Sequence, residues 1–127
     1  MSLTKEQAIH QFWSGFGLKA YDEQTVPTGD DAPEFPYITY EVQTDNIGHP
    51  LAMTGSIWYR SASWADITEK KNLISGQIGY GHLIKPIDGG YLYITRGSPF
   101  AQRMADDSDD MIRRIVVQIQ CEFLTAD

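Results

Sequence analysis

This sequence is short of the residues that most small-protein chemistry uses. Cys121 is its only cysteine, so no internal disulfide can form and no cysteine-rich zinc site can be built. A reducing compartment is the simplest setting for such a chain. No apolar run approaches the ~18 residues that a membrane helix needs, and no secretory leader is recognisable. The expectation is a soluble protein made in the cytoplasm. Positive charge is also scarce. Lys and Arg total 10 against 17 Asp and Glu, giving a formal net charge of −7. The basic pairs are Lys70-Lys71 and Arg113-Arg114, too little to grip nucleic-acid phosphates. An acidic surface is instead suited to letting DNA pass without holding it.

The three histidines are scattered at His10, His49 and His82, with no His-x-x-x-His spacing and no nearby acid to complete a zinc site. No Gly-x-Ser-x-Gly elbow occurs. The glycines of Gly76-Gln77-Ile78-Gly79-Tyr80-Gly81 fall at the end of a predicted helix, where phosphate cradling has the wrong geometry. Cys121 alternates onto an apolar strand face and reads as a small buried hydrophobe. Carboxylate pairs of the glycosidase kind are unavoidable among 17 acids and carry no signal. No catalytic, metal or cofactor residue is assigned, and the expectation is a protein that is not an enzyme.

What is present is a chain of 127 residues, 42% hydrophobic and 12% aromatic, suited to one domain over 1–127. Area scaling predicts roughly 6,800 Å² exposed when folded and about two-thirds of the extended surface buried. Thr4-Lys5-Glu6-Gln7 fits a capping box, and Ile9, Phe12, Trp13 and Phe16 follow at helical spacing until Gly15 and Gly17. Residues 21–36 form a long acidic loop with Pro27, Pro33 and Pro36, of the kind that often serves as a binding arm. Residues 37–42 and 51–60 read as a hairpin, with Gly55 a possible bulge. A second helix is predicted within 62–80, opened by Ser63 and striped by Trp64, Ile67, Ile74 and Ile78. Residues 83–95 read as a hairpin about Asp88-Gly89, with a type I′ turn. Ser98 to Met104 reads as an irregular or helical link.

The last strand alternates Met111, Arg113, Ile115, Val117, Ile119, Cys121 and Phe123 on its apolar face. At ~3.3 Å per residue it spans about 46 Å, long enough for one end to leave the core and pair elsewhere. The predicted order is α-β-β-α-β-β-β, an α+β domain with an antiparallel sheet and two helices. Before the last strand stand Asp106, Asp107, Asp109 and Asp110, without the glycine and glutamate of a calcium loop. They read as a solvated turn.

Three phrases are more specific than composition: "VPTGDDAPEFPYITYEV", "SIWYRSASWADI" and "IKPIDGGYLYITRGSPFAQ". Together, and in this order of elements over residues 20–124, the chain resembles tail-terminator or head–tail joining proteins of long-tailed bacteriophages and prophages. The resemblance implies a structural virion subunit that forms a ring, commonly of six, caps the tail tube and meets the head connector. Its partners would be copies of itself, the tail-tube protein and a head-connector protein, with no cofactor. Another neck protein, or a small-ligand-binding domain, are the alternatives. The candidate interface is Asp30, Asp31 and Glu34 in the loop, Arg60, and the group Arg103, Asp106, Asp107, Asp109, Asp110, Arg113 and Arg114. Arg60 and the loop are expected to touch a neighbour. Trp64 is expected in the core, with Trp58 and Tyr59 shared between core and interface.

Overall fold

The computed structural model describes residues 3–47 and 49–126, so Gly48, in the predicted link between the 37–42 and 51–60 strands, lies outside the described residues. Helix α1, Lys5–Ser14, starts as its sequence requires. The Thr4 hydroxyl accepts from the Gln7 N–H at 3.1 Å, and the Gln7 side chain accepts from the Thr4 N–H at 3.0 Å. Two orphan donors are thereby satisfied. Helix α2, Ala65–Ile78, ends where Gly79 takes a φ of 74°. Its capping differs from the predicted opening at Ser63. Trp64 is the N-cap and makes no side-chain cap bond, while Ser63 Oγ accepts from the Ala65 N–H at 3.0 Å.

Six strands form one mixed sheet: β1 (Lys19–Asp22), β2 (Tyr37–Tyr40), β3 (Leu51–Arg60), β4 (Leu83–Ile87), β5 (Gly90–Met104) and β6 (Ile112–Thr125). Their spatial order is β1-β2-β3-β6-β5-β4. The class is a small single domain of sheet and two helices, but the antiparallel expectation needs correction. Strand β1 runs parallel to β2, with Lys19 opposite Tyr37 and Asp22 opposite Tyr40. The predicted 21–36 loop is therefore a strand-to-strand crossover. It starts inside β1 and contains a short 3₁₀ turn at Gly29–Asp31.

Three further expectations fail for identifiable reasons. Residues 98–104 are the second half of β5, because an irregularity between Arg96 and Ala101 absorbs Gly97, Ser98 and Pro99 without ending the strand. The Asp88-Gly89 turn is not type I′, which needs positive φ at both central residues; only Gly89, at 80°, has it. The long β6 does not leave the core. It pairs with β3 over Ile112–Cys121 and with β5 over Arg114–Thr125.

The buried residues alternate onto one sheet face, and both helices cover that face. Met53 and Ile57 of β3, Leu92 and Ile94 of β5, and Ile115 to Phe123 of β6 meet Phe12, Trp13, Ile67 and Ile74. Gly55 is no bulge: β3 keeps unbroken register with β6 past it. A Cβ there would lie 2.6 Å from the Trp13 ring, so the glycine is the seat of the indole. Trp13 also stacks on Tyr40 and meets Phe12 edge-on at 4.9 Å. Among the described residues, no helix lies over the opposite face. The exposed surface is 7407 Å², somewhat above the ~6,800 Å² expected for a chain of this mass.

Gly55→Ala forces a methyl group into the indole and should cost about 1–3 kcal/mol. Trp13→Ala should cost about 3–5 kcal/mol. The double variant should lose little more than Trp13→Ala alone, because the vacated space accepts the methyl. Urea denaturation of the three variants checks this, and strictly additive losses would refute the seat.

Candidate functional site

The aspartate run before β6 is a hydrogen-bonded turn. Asp106 Oδ1 accepts from the Ser108 N–H at 2.8 Å, the Ser108 hydroxyl at 2.5 Å and the Asp109 N–H at 3.3 Å. Asp109 Oδ1 accepts from the Met111 N–H at 2.9 Å, and its Oδ2 takes the Arg60 guanidinium at 3.0 Å. Asp107 and Asp110 are exposed. Hydrogen bonds from Ser108 hold the Asp106 carboxyl below its ordinary range. The Met111 N–H, then Arg60, do the same for Asp109. Among the described residues, no three His, Cys, Asp or Glu side chains gather as a metal would need.

Arg60, expected to reach a neighbour, is held by Asp109 of its own chain. The other candidate arginines sit on aromatic rings. Arg103 lies 4.7 Å and Arg113 5.2 Å from the centre of the Trp64 ring, so this indole lies close to two guanidinium groups. Trp64 is accordingly half-buried at the edge of the core and not within it. Arg113 also donates to the Ala62 carbonyl at 3.1 Å. Arg114, on the uncovered face, lies 4.7 Å from the Trp58 ring and donates twice to Ser56 Oγ, at 3.1 and 3.0 Å. Trp58 in turn stacks on Tyr37 and donates to Thr39 Oγ1 at 2.9 Å. Cation–π contact of this kind orders a guanidinium without neutralising it.

Register explains the gathering. Tyr59 of β3 faces Arg113 of β6, Trp58 faces Arg114, and Met104 of β5 faces Arg114. One end of the three central strands thus collects Arg60, Arg103, Arg113 and Arg114 in an acidic protein. Arg96 extends this basic side along β5, donating to Ser75 of α2 at 3.0 Å. Asp30, Asp31 and Glu34 are not part of this group. They are exposed on the crossover between β1 and β2, at the other edge of the sheet. The aromatic partners of the arginines were not legible from sequence spacing, because they come from different elements.

Other polar groups serve the fold. His10 bridges the Tyr40 hydroxyl at 2.7 Å and the Ser14 hydroxyl at 3.2 Å, and His82 meets the Tyr93 hydroxyl at 2.6 Å. A hollow of about 650 Å³ lies beside α2 and is lined by Tyr59, Asp66, Glu69, Lys70, Asn72 and Leu73. Its Lys70 ammonium is already engaged by the Phe16 carbonyl at 2.6 Å. No family model, curated protein or solved structure matches this chain.

Burial pushes the Cys121 thiol up to about 12. A thiol reagent at neutral pH should therefore label the unfolded chain and leave the native one unlabelled; rapid native labelling would contradict this burial. The aspartate turn has the opposite sign. Its carboxyls are lowered by folding, so their stabilising contribution is present above the unfolded value near 3.9 and lost as pH falls through the folded value. The protection of the Ser108 and Met111 amides, taken relative to the unfolded-chain exchange rate at each pH, should fall below about pH 4. Asp106→Asn with Asp109→Asn should remove that step; an unchanged profile would refute it.

Proposed function

We propose that this chain is a structural subunit of a phage or prophage virion, acting through contact surfaces and not through bond chemistry. The subunits close into a ring, of six copies, that ends the tail tube and presents a surface to the head connector. One ring face matches the last layer of the tube, and the other does not propagate it. Such a protein is assembled in the bacterial cytoplasm and resides in the virion. The resemblance of its three sequence phrases to tail-terminator and head–tail joining proteins motivates this reading.

One structural observation supports it. Among the described residues, helices cover one face of the sheet, and the uncovered face carries ordered aromatic and apolar side chains. At one end are Tyr37 and Trp58, stacked at 6.1 Å. At the other, exposed Tyr91 and Leu124 are paired partners on β5 and β6, with exposed Ile84 nearby on β4. Apolar side chains grouped on an open sheet suit coverage by another protein surface.

Light scattering across a concentration series tests the reading. A discrete species near 86 kDa, six times the 14.3 kDa chain mass, is expected. Adding it to polymerising tail-tube protein should cap the tubes and stop their growth. A chain that stays monomeric at every concentration, and leaves tube growth unchanged, would overturn the proposal.

A further inference from the structure

The charges of this chain are segregated in a way its own fold does not use. Arg103 is exposed on β5, in a stretch that β4 does not cover, since β4 pairs only with Gly90–Ile94. Lys71 of α2 and Arg103 line the same small hollow, of about 150 Å³. Arg113 completes the group from across Trp64. Among the described residues, none of these three cations has a carboxylate within 4.0 Å; Arg60 holds the ion pair with Asp109. On the far flank, Asp30, Asp31 and Glu34 are exposed, and among the described residues none has a cation within that distance. The acidic crossover lies against the β1 edge, where Asp31 to Pro36 share a hollow with Gly17, Leu18, Lys19 and Tyr21.

Sheet order sets the geometry. β1 and β5 are four strand spacings apart, roughly 19 Å at about 4.8 Å per strand. The two unpaired surfaces are therefore on opposite flanks and cannot neutralise each other within one copy. Opposite flanks of complementary charge meet head-to-tail between copies. Repetition of such a heterologous contact gives a ring when the rotation closes.

We infer that the Lys71–Arg103–Arg113 surface around Trp64 is a docking site for the acidic 29–34 segment of a second copy of this chain, and that this contact is the subunit seam. The inference rests on the ring reading above and adds which flank meets which. Trp64 supplies a flat, half-buried wall that holds the guanidinium groups in place. The net charge of −7 makes other approaches between copies repulsive, so complementarity selects this one.

Charge reversal on each flank tests the seam. Lys71→Glu with Arg103→Glu should convert the oligomer to monomer, because the patch then carries two acids and one cation against an acidic segment. Asp30→Lys with Asp31→Lys should do the same by opposing two basic surfaces. Placing all four changes in one chain should restore the oligomer. Mixing the two single-flank variants should restore it as well, since alternating copies make every contact complementary. Native mass and circular dichroism are read together, so that a monomer with intact folding is distinguished from an unfolded chain. A wild-type oligomer indifferent to both reversals overturns the seam and leaves the ring reading standing. A wild-type chain that is monomeric throughout overturns both. Loss of mass in either reversal without recovery in the quadruple variant or the mixture also overturns the seam. If Lys71→Glu with Arg103→Glu abolishes binding to a DNA oligonucleotide and leaves the mass unchanged, the flank is a nucleic-acid surface instead.

Discussion

The seating of Trp13 on Gly55 fixes the relation between the helical layer and the sheet. The indole occupies the space of a missing Cβ on β3, so α1 cannot slide along the strand without losing its place. Tyr40 and Phe12 close around the same ring. From β3 the constraint passes to β6 through ten register pairs. A slip of one residue would turn Met53 and Ile57 out of the core and bring Ser56 and Trp58 inward. The register that buries Trp13 is therefore the register that places Trp58 beside Arg114 and Tyr59 opposite Arg113. The charged end of the sheet is a consequence of how its core is packed.

The sequence was most informative where the signal is local. A capping box and a helical stripe defined α1, and strict alternation with a period of two defined β6. The aspartate run also read correctly as a turn, since Asp and Ser commonly hydrogen-bond to backbone a few residues on. Non-local features were not legible. Lys19–Asp22 is four residues with no alternating pattern, and becomes a strand only because the crossover returns β2 beside it. Gly97, Ser98 and Pro99 have the composition of a linker, yet the flanking pairs with β6 carry β5 through them. Gly55 was expected as a bulge and is instead a point of close approach, which only the position of Trp13 reveals. Trp64 followed the helical period but stands at the N-cap, where the stripe runs out to the core edge.

The candidate residues divide on the same principle. Arg60, Asp106 and Asp109 are spent inside the chain, fastening the turn that leads into β6. Arg103, Arg113 and Arg114 are ordered by aromatic rings and hydrogen bonds to neutral groups, and among the described residues none of them forms an ion pair, although the Arg114 charge is felt by Asp106. A surface ion pair would have reduced the field at this end; a ring face fixes the side chain and preserves the field. No spacing rule in the sequence distinguishes these two fates, because the choice depends on which ring the register brings alongside.

Uncompensated charge also limits how strong a seam of this kind is. Exposed ion pairs contribute about 0–1 kcal/mol each and are screened over roughly 8–10 Å at moderate salt. A pairwise contact made of three such cations and three acids is specific in orientation but weak in affinity. Closure changes the balance, since the last subunit of a ring forms two contacts for the loss of one subunit's freedom. The proposed seam therefore favours the complete ring over short open chains. It also makes assembly responsive to a template, because a tail end that holds subunits side by side supplies the local concentration that the contact lacks.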